Sequence, residues 1–194
     1  MRRAMRYCAC LCVASLLTFV APTRAEGQAV PVMPAQGTVQ VAFPPWDDAE
    51  SLLLETLGRA RREILVQAYL LTSRPIAASL IAAKQRGLAV SVLADARQHA
   101  ETPSSLLSSL AAKGIPVWLE TRYRNAHNKI MVIDDGTQDV VVVTGSYNFT
   151  RSAQRMNSEN LFLIRGNLAL ARRFRQNWER HRADAVALGP AGSQ

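Results

Sequence analysis

The stretch His127-Asn128-Lys129-Ile130-Met131-Val132-Ile133-Asp134 sets an imidazole two residues from an ammonium at the head of an apolar run. Strand alternation puts His127 and Lys129 on one face. A cation there lowers the imidazole pKa and favours the neutral, nucleophilic form. The same parity sends Asp134 to the opposite face unless the strand ends before it, so Asp134 reads as structural more readily than catalytic. Gly145-Ser146-Tyr147-Asn148 closes the next strand with a hydroxyl and an amide of like parity, and Asn157-Ser158-Glu159-Asn160 opens the one after, with Asn157 and Glu159 on one face. A nucleophile, a cation for phosphate oxygens, neutral donors and a carboxylate able to orient an imidazole suit phosphoryl transfer through a covalent intermediate. Each part alone has a plainer explanation: a strand-edge histidine, a turn with a helix cap, a satisfied carboxylate.

Short β-rich runs alternate with helical patterns upstream of this region. Strands are expected at 38–43, 63–69, 88–95 and 115–119, and helices at 47–62, 75–86 and 102–113. Asp47 can cap the first helix, Pro75 suits the first turn of the second, and Gly87 and Gly114 stop the second and third. The alternation argues for an α/β layered domain with a partly parallel sheet. Asp135-Gly136 is a turn signal joining strands at 128–134 and 140–144 into a hairpin, and a further strand is expected at 159–164. A last helix at 167–183 carries Leu170, Phe174 and Trp178 on its buried stripe. Its arginines (Arg172, Arg173, Arg175, Arg180 and Arg182) read as a solvated face, and 184–194 as a flexible tail.

The remaining segments set the context. Arg2, Arg3 and Arg6, the apolar run 7–21 and small residues at Thr23 and Ala25 spell a cleavable signal peptide over 1–25, which implies a periplasmic or secreted protein. Residues 26–37 read as a flexible lead-in, and 38–183 as the catalytic domain. All three cysteines (Cys8, Cys10, Cys12) fall in the leader, so the expected mature chain has neither a disulfide scaffold nor a thiolate metal site. The 194-residue chain has 23 Lys+Arg against 15 Asp+Glu. Four of those arginines lie in the leader, so the rest is only mildly basic, compatible with a phosphate-bearing substrate.

In order and local spacing, His127/Lys129/Asp134, Gly145/Ser146/Asn148 and Asn157/Glu159 resemble the signature of the phospholipase D superfamily: His-x-Lys-x4-Asp, then Gly-Ser-x-Asn, then Asn-x-Glu. From about Val39 to Trp178 the chain resembles the small single-motif, metal-independent bacterial endonucleases, except that its hairpin between Asp134 and Thr144 is a few residues longer. The resemblance implies a mixed sheet flanked by helices on both faces, and no metal or other cofactor. It implies a catalytic set of His127, Lys129, Asp134, Asn148 and Glu159, with Ser146, Asn157 and Lys129 contacting substrate. It also implies a phosphohistidine intermediate, with a second histidine as acid and then base. That scheme needs two motifs and the chain has one; His99 and His181 lack a lysine two residues on and read as surface residues. A homodimer sharing its site about a two-fold axis supplies the second imidazole. The expected substrate is DNA or RNA. A phospholipase D acting on phospholipid head groups is the second reading, and an inactive nucleic-acid-binding relative the third.

Overall fold

The runs EILVQA, AVSVLAD, KIMVI and VVVTG are apolar on nearly every residue, the composition of strands buried on both faces. In the computed structural model, which describes residues 29–189, they occupy the centre of one eight-stranded sheet. The strands are β1 (Thr38–Ala42), β2 (Glu63–Ala68), β3 (Ala89–Asp95), β4 (Val117–Glu120), β5 (Lys129–Ile133), β6 (Val141–Gly145), β7 (Leu161–Arg165) and β8 (Val186–Ala187). Their order is β1-β7-β6-β5-β2-β3-β4-β8. Only β2, β3 and β4 run parallel; every other pairing is antiparallel, so the sheet is mixed, as expected.

Two cores cover its faces. On one, α1 (Ala49–Arg59), α2 (Arg74–Gln85) and α4 (Leu107–Ala112) bring Leu53, Leu57, Ile76, Leu80 and Leu110 onto Ile64, Val66, Val92, Met131 and Val143. On the other, α6 (Leu168–Ala183) packs Ala171, Phe174 and Trp178 on Leu65, Leu93, Ile130, Val132 and Val142. The Trp178 Nε1–H donates to the Val66 carbonyl at 2.9 Å, which pins the helix to the sheet centre. The alternation along β2 and β5 thus divides between two apolar layers, and helices lie on both faces.

Several expectations shift. Asp48, not Asp47, caps α1 through the Ser51 amide; Asp47 accepts instead from the Phe43 amide at 2.8 Å. The helix expected at 102–113 begins only at Leu107, because Thr102 precedes Pro103 and is extended. An unexpected helix, α3 (Ala96–Glu101), forms instead, since Asp95 both ends β3 and caps the next turn through the Gln98 amide. The lead-in is tied down by an Asn167 to Pro34 hydrogen bond, and the expected tail contributes β8, paired with β4. Arg175 does not belong to a solvated face: it lies at the sheet edge in ion pairs with Glu63 and Asp135. The expected signal peptide lies outside the described residues.

The end of β5 is anchored by Asp134. Its backbone adopts φ 55°, and its amide donates to the Glu63 carbonyl at 3.0 Å. Its buried carboxylate accepts from the amides of Arg61 (2.9 Å), Arg62 (2.8 Å) and Glu63 (3.1 Å), at the start of β2. Five residues of strand put this contact about 15 Å from the start of β5. Asp134→Asn keeps an oxygen but loses the charge and turns donors toward donors. Urea unfolding should show a loss of about 2–4 kcal/mol, well above that of a neutral hydrogen bond; a loss under 0.5 kcal/mol would refute the anchor.

Candidate active site

Strand direction gathers the residues singled out above at one edge of the sheet. Ala68 pairs with Ala94 on one side and Lys129 on the other, while Leu161 pairs with Gly145 and Ala42. The C-terminal ends of β2, β3 and β6 therefore meet the N-terminal ends of β5 and β7. Tyr69 leaves β2 there, Asp95 closes β3, His127 precedes β5, Ser146 and Asn148 follow β6, and Glu159 precedes β7. Asp134 follows the last residue of β5, at the opposite end of the strand from Lys129, and is hydrogen-bonded to none of them; the length of the strand rather than its parity separates it, against its inclusion in the catalytic set that the resemblance implies.

His127 is exposed and lies in the loop before β5, not on the strand itself. Its neighbours are fixed instead: the buried Asp95 carboxylate accepts from the Ala126 amide at 2.6 Å, and the Asn128 carbonyl accepts from the Tyr69 amide at 2.8 Å. Lys129 is 5% exposed. Its Nζ donates to the His127 carbonyl at 3.0 Å and lies 4.7 Å from the centre of the Tyr69 ring. The same ring meets the His127 imidazole at 4.3 Å, tilted by 58°. Tyr69 thus supports both groups, and neither it nor Asp95 was marked by sequence. They lie dozens of residues from His127, and the only sign was that each closes a strand.

The electrostatics follow from burial. Desolvation lowers the Lys129 pKa to about 8, partly opposed by the Glu159 carboxylate. The imidazole of His127 is also held below its usual value, first by desolvation and then by Lys129, with Asp95 opposing. A neutral imidazole beside an ammonium is the pairing that nucleophilic attack on a phosphodiester requires.

The β6 and β7 loops are stitched together. Glu159 accepts from the Ser146 hydroxyl at 2.5 Å and from Asn157 Nδ2 at 2.9 Å, and the Ser146 hydroxyl accepts from the Asn160 amide at 3.0 Å. Gly145, with φ 138°, is obligatory here, since a Cβ would sit 2.3 Å from the Asn160 carbonyl oxygen. β7 begins only at Leu161, so loop hydrogen bonds rather than a shared strand face unite Asn157 and Glu159. In a single chain, among the described residues, Glu159 makes no hydrogen bond to His127; its carboxylate is held by Ser146 and Asn157. Asn148 stands beside this seam, and its buried Oδ1 has no hydrogen-bond partner among the described residues. The other two histidines are not plain surface residues. His99 Nδ1 meets the Ser105 hydroxyl at 2.8 Å, and His181 Nδ1 meets the buried Glu120 carboxylate at 2.6 Å, because a carboxylate in that position needs a partner.

Comparison with known proteins agrees with this geometry. Residues 53–182 match the family described as "Cardiolipin synthase, PLD-like domain". The chain is 34% identical over 144 residues to a phospholipase D of Rickettsia prowazekii, covering 74% of this chain and 67% of that protein. It is 29% identical over 150 residues to the mitochondrial cardiolipin hydrolase of Xenopus laevis, covering 77% and 69%. It therefore spans about two thirds of the length of these curated relatives. The crystal structure of Nuc, a phospholipase D family member from Salmonella typhimurium, superposes with a TM-score of 0.73 at 31% identity, covering 79% of this chain and 99% of that one. NucT from Helicobacter pylori shares the fold at 19% identity, with a TM-score of 0.69.

Replacing Lys129 by Met tests the electrostatics in two ways. Removing the cation should raise the His127 pKa, read by NMR titration of the imidazole. The variant should also be more stable at neutral pH by about 1–2 kcal/mol, because a buried ammonium is replaced by an apolar chain of similar shape. The sign is set by the depressed lysine pKa: the folded state holds the charged form at a penalty below about pH 8. That penalty fades as pH rises from there toward the unfolded value, so the advantage of Met shrinks over the same window. An unmoved imidazole pKa would refute the coupling.

Proposed function

The chain belongs to the phospholipase D superfamily of phosphodiester hydrolases, and from that premise we propose that it is a metal-independent endonuclease acting through a phosphohistidine on DNA, with RNA as a related substrate. The observation that carries this reading is the exposed His127 imidazole held against the buried Lys129 ammonium by one tyrosine ring. In the proposed reaction His127 attacks phosphorus and displaces one alcohol, which takes a proton from a second imidazole. That imidazole, now neutral, removes a proton from water as the water attacks the phosphohistidine, releasing a phosphate monoester and free His127. Lys129 and Asn148 hold the non-bridging oxygens as charge gathers on them, and Glu159 steadies the polar seam beside them. The second imidazole is the partner's copy of His127 in a two-fold dimer, since His181 is engaged by Glu120 and His99 by Ser105.

Nucleic acid is favoured because the motifs resemble the single-motif endonucleases, and because almost the whole length of the small Salmonella family member is matched. A lipid phosphodiesterase is the second reading, supported by the Rickettsia and Xenopus relatives whose names carry lipid substrates. The N-terminal segment supports action outside the cytoplasm.

Three experiments test this reading. Plasmid DNA and phosphatidylcholine vesicles, each with excess EDTA, should separate the substrates: DNA is cut and EDTA has no effect, and turnover disappears in His127→Ala while His99→Ala retains it. Mixing wild-type with His127→Ala chains should give heterodimers of sharply reduced turnover. Cleavage of the lipid alone would transfer the function to the second reading, and activity lost to EDTA and restored by Mg²⁺ would end the histidine mechanism. The third experiment is a pH profile. As Lys129 loses its proton, kcat/KM should fall with an alkaline midpoint near 8. Lys129→Arg, slower overall, should lack this limb because guanidinium stays charged.

A further inference from the structure

Beside the candidate site, two chain segments run together away from the catalytic edge. Leu71 bridges Phe149 in parallel, the Phe149 amide donates to the Leu70 carbonyl at 3.2 Å, and the Phe149 carbonyl accepts from the amides of Thr72 (3.0 Å) and Ser73 (2.9 Å). One segment starts at Tyr69 and the other at Asn148, so both lead from the catalytic group to the same place: a cavity of about 530 Å³ lined by Glu50, Thr72, Ser73, Arg74, Arg151 and Arg155. Arg74 opens α2, while Arg151 and Arg155 stand one turn apart on α5 (Arg151–Arg155). All three arginines are exposed, and among the described residues none forms an ion pair. The one carboxylate in the wall, Glu50, accepts from the Ser73 hydroxyl at 2.5 Å.

Three guanidinium groups around one engaged carboxylate, with Asp48 near Arg155 as a further negative charge, leave this surface with an excess of positive charge. Guanidinium recognises phosphate by paired hydrogen bonds, and the N-terminal end of the twelve-residue α2 adds its positive dipole. From Asn148 to Arg151 is three residues, at most about 10 Å of chain, so the cavity lies within a few nucleotides of the scissile position. Resting on the nuclease reading above, we infer that Arg74, Arg151 and Arg155 form a subsite for a backbone phosphate of the same nucleic acid strand, flanking the one that is cut. A phospholipid with a single phosphate has nothing to place there, whereas a polynucleotide offers one phosphate per nucleotide. The cluster therefore makes the site selective for a polyanionic strand over an isolated phosphodiester.

The test measures binding, so it does not depend on turnover. In the full chain carrying His127→Ala, fluorescence anisotropy follows a labelled single strand of about 20 nucleotides across a salt series. Converting Arg74, Arg151 and Arg155 together to Gln should weaken binding about tenfold and lower the slope of log K against log salt by one to two. Converting the same three to Lys should keep most of the slope, which shows that charge and not misfolding is being read. In the otherwise wild-type chain, the preference for the long strand over a dinucleotide should fall with the Gln set. Binding and slope unchanged in the Gln variant would overturn the proposal. So would a loss confined to vesicles containing cardiolipin, which would assign the arginines to an anionic lipid surface. A strand bound through the arginines but never cut by the wild-type chain would sink the nuclease reading and leave the subsite standing; cutting that is indifferent to the arginines would do the reverse.

Discussion

Three amides at the start of β2 converge on the carboxylate of Asp134, and the placement of β5 against its neighbour depends on that contact. Side chains alternate along a strand, so a slip of one residue would turn Lys129 to the other face and withdraw it from Tyr69. The anchor lies at the opposite edge from the chemistry and acts through the register Ile64↔Ile133 to Ala68↔Lys129. An aspartate that belongs to the signature thus serves the site from a distance. Its role is to hold the ruler along which the reactive groups are measured out.

At the other end of that ruler the fold accepts an electrostatic penalty. Lys129 is buried with a carbonyl and an aromatic face for company, and its nearest favourable charge, Glu159, is engaged by Ser146 and Asn157. A core built for stability alone would not keep an ammonium there. The gain is a cation with little water around it, next to an imidazole that stays neutral, at a place where negative charge can develop. The buried Oδ1 of Asn148 is likewise left without a partner among the described residues.

The loops that carry these groups are held by polar stitching as well as by the buried rings of Tyr147 and Phe149. Asp95 fixes the residue before His127 while capping α3, Gly145 lets the chain pass within contact of Asn160, and Ser146 joins the two loops through Glu159. The exposed His127 is thus one of the open members of a well-supported group. Its order comes from those neighbours rather than from burial of its own ring.

Much of this was legible in the chain. Apolar runs of β-branched residues announced the central strands, because burial on both faces demands that composition, and the alternation with helices announced a layered sheet. The spacing of His127, Lys129, Asn148 and Glu159 brought those residues to notice together, whereas Asp134 lies apart because β5 ends before it, a separation along the strand that parity did not foretell. Local signals failed where two roles fell on one residue or a neighbour overruled propensity. Asp95 ends a strand and caps a helix at once, Thr102 is extended by the proline after it, and Arg175 was drawn into ion pairs by carboxylates 112 residues away in Glu63 and 40 away in Asp135. Tyr69 belongs to the same class: its ring joins the site only because β2 and β5 are antiparallel neighbours. Sequence determined which residue types were available and how each strand would face, since those depend on local geometry. Tertiary structure alone decided which strand ends meet, and with them the burial that sets the charge state of Lys129 and the ring that His127 rests on.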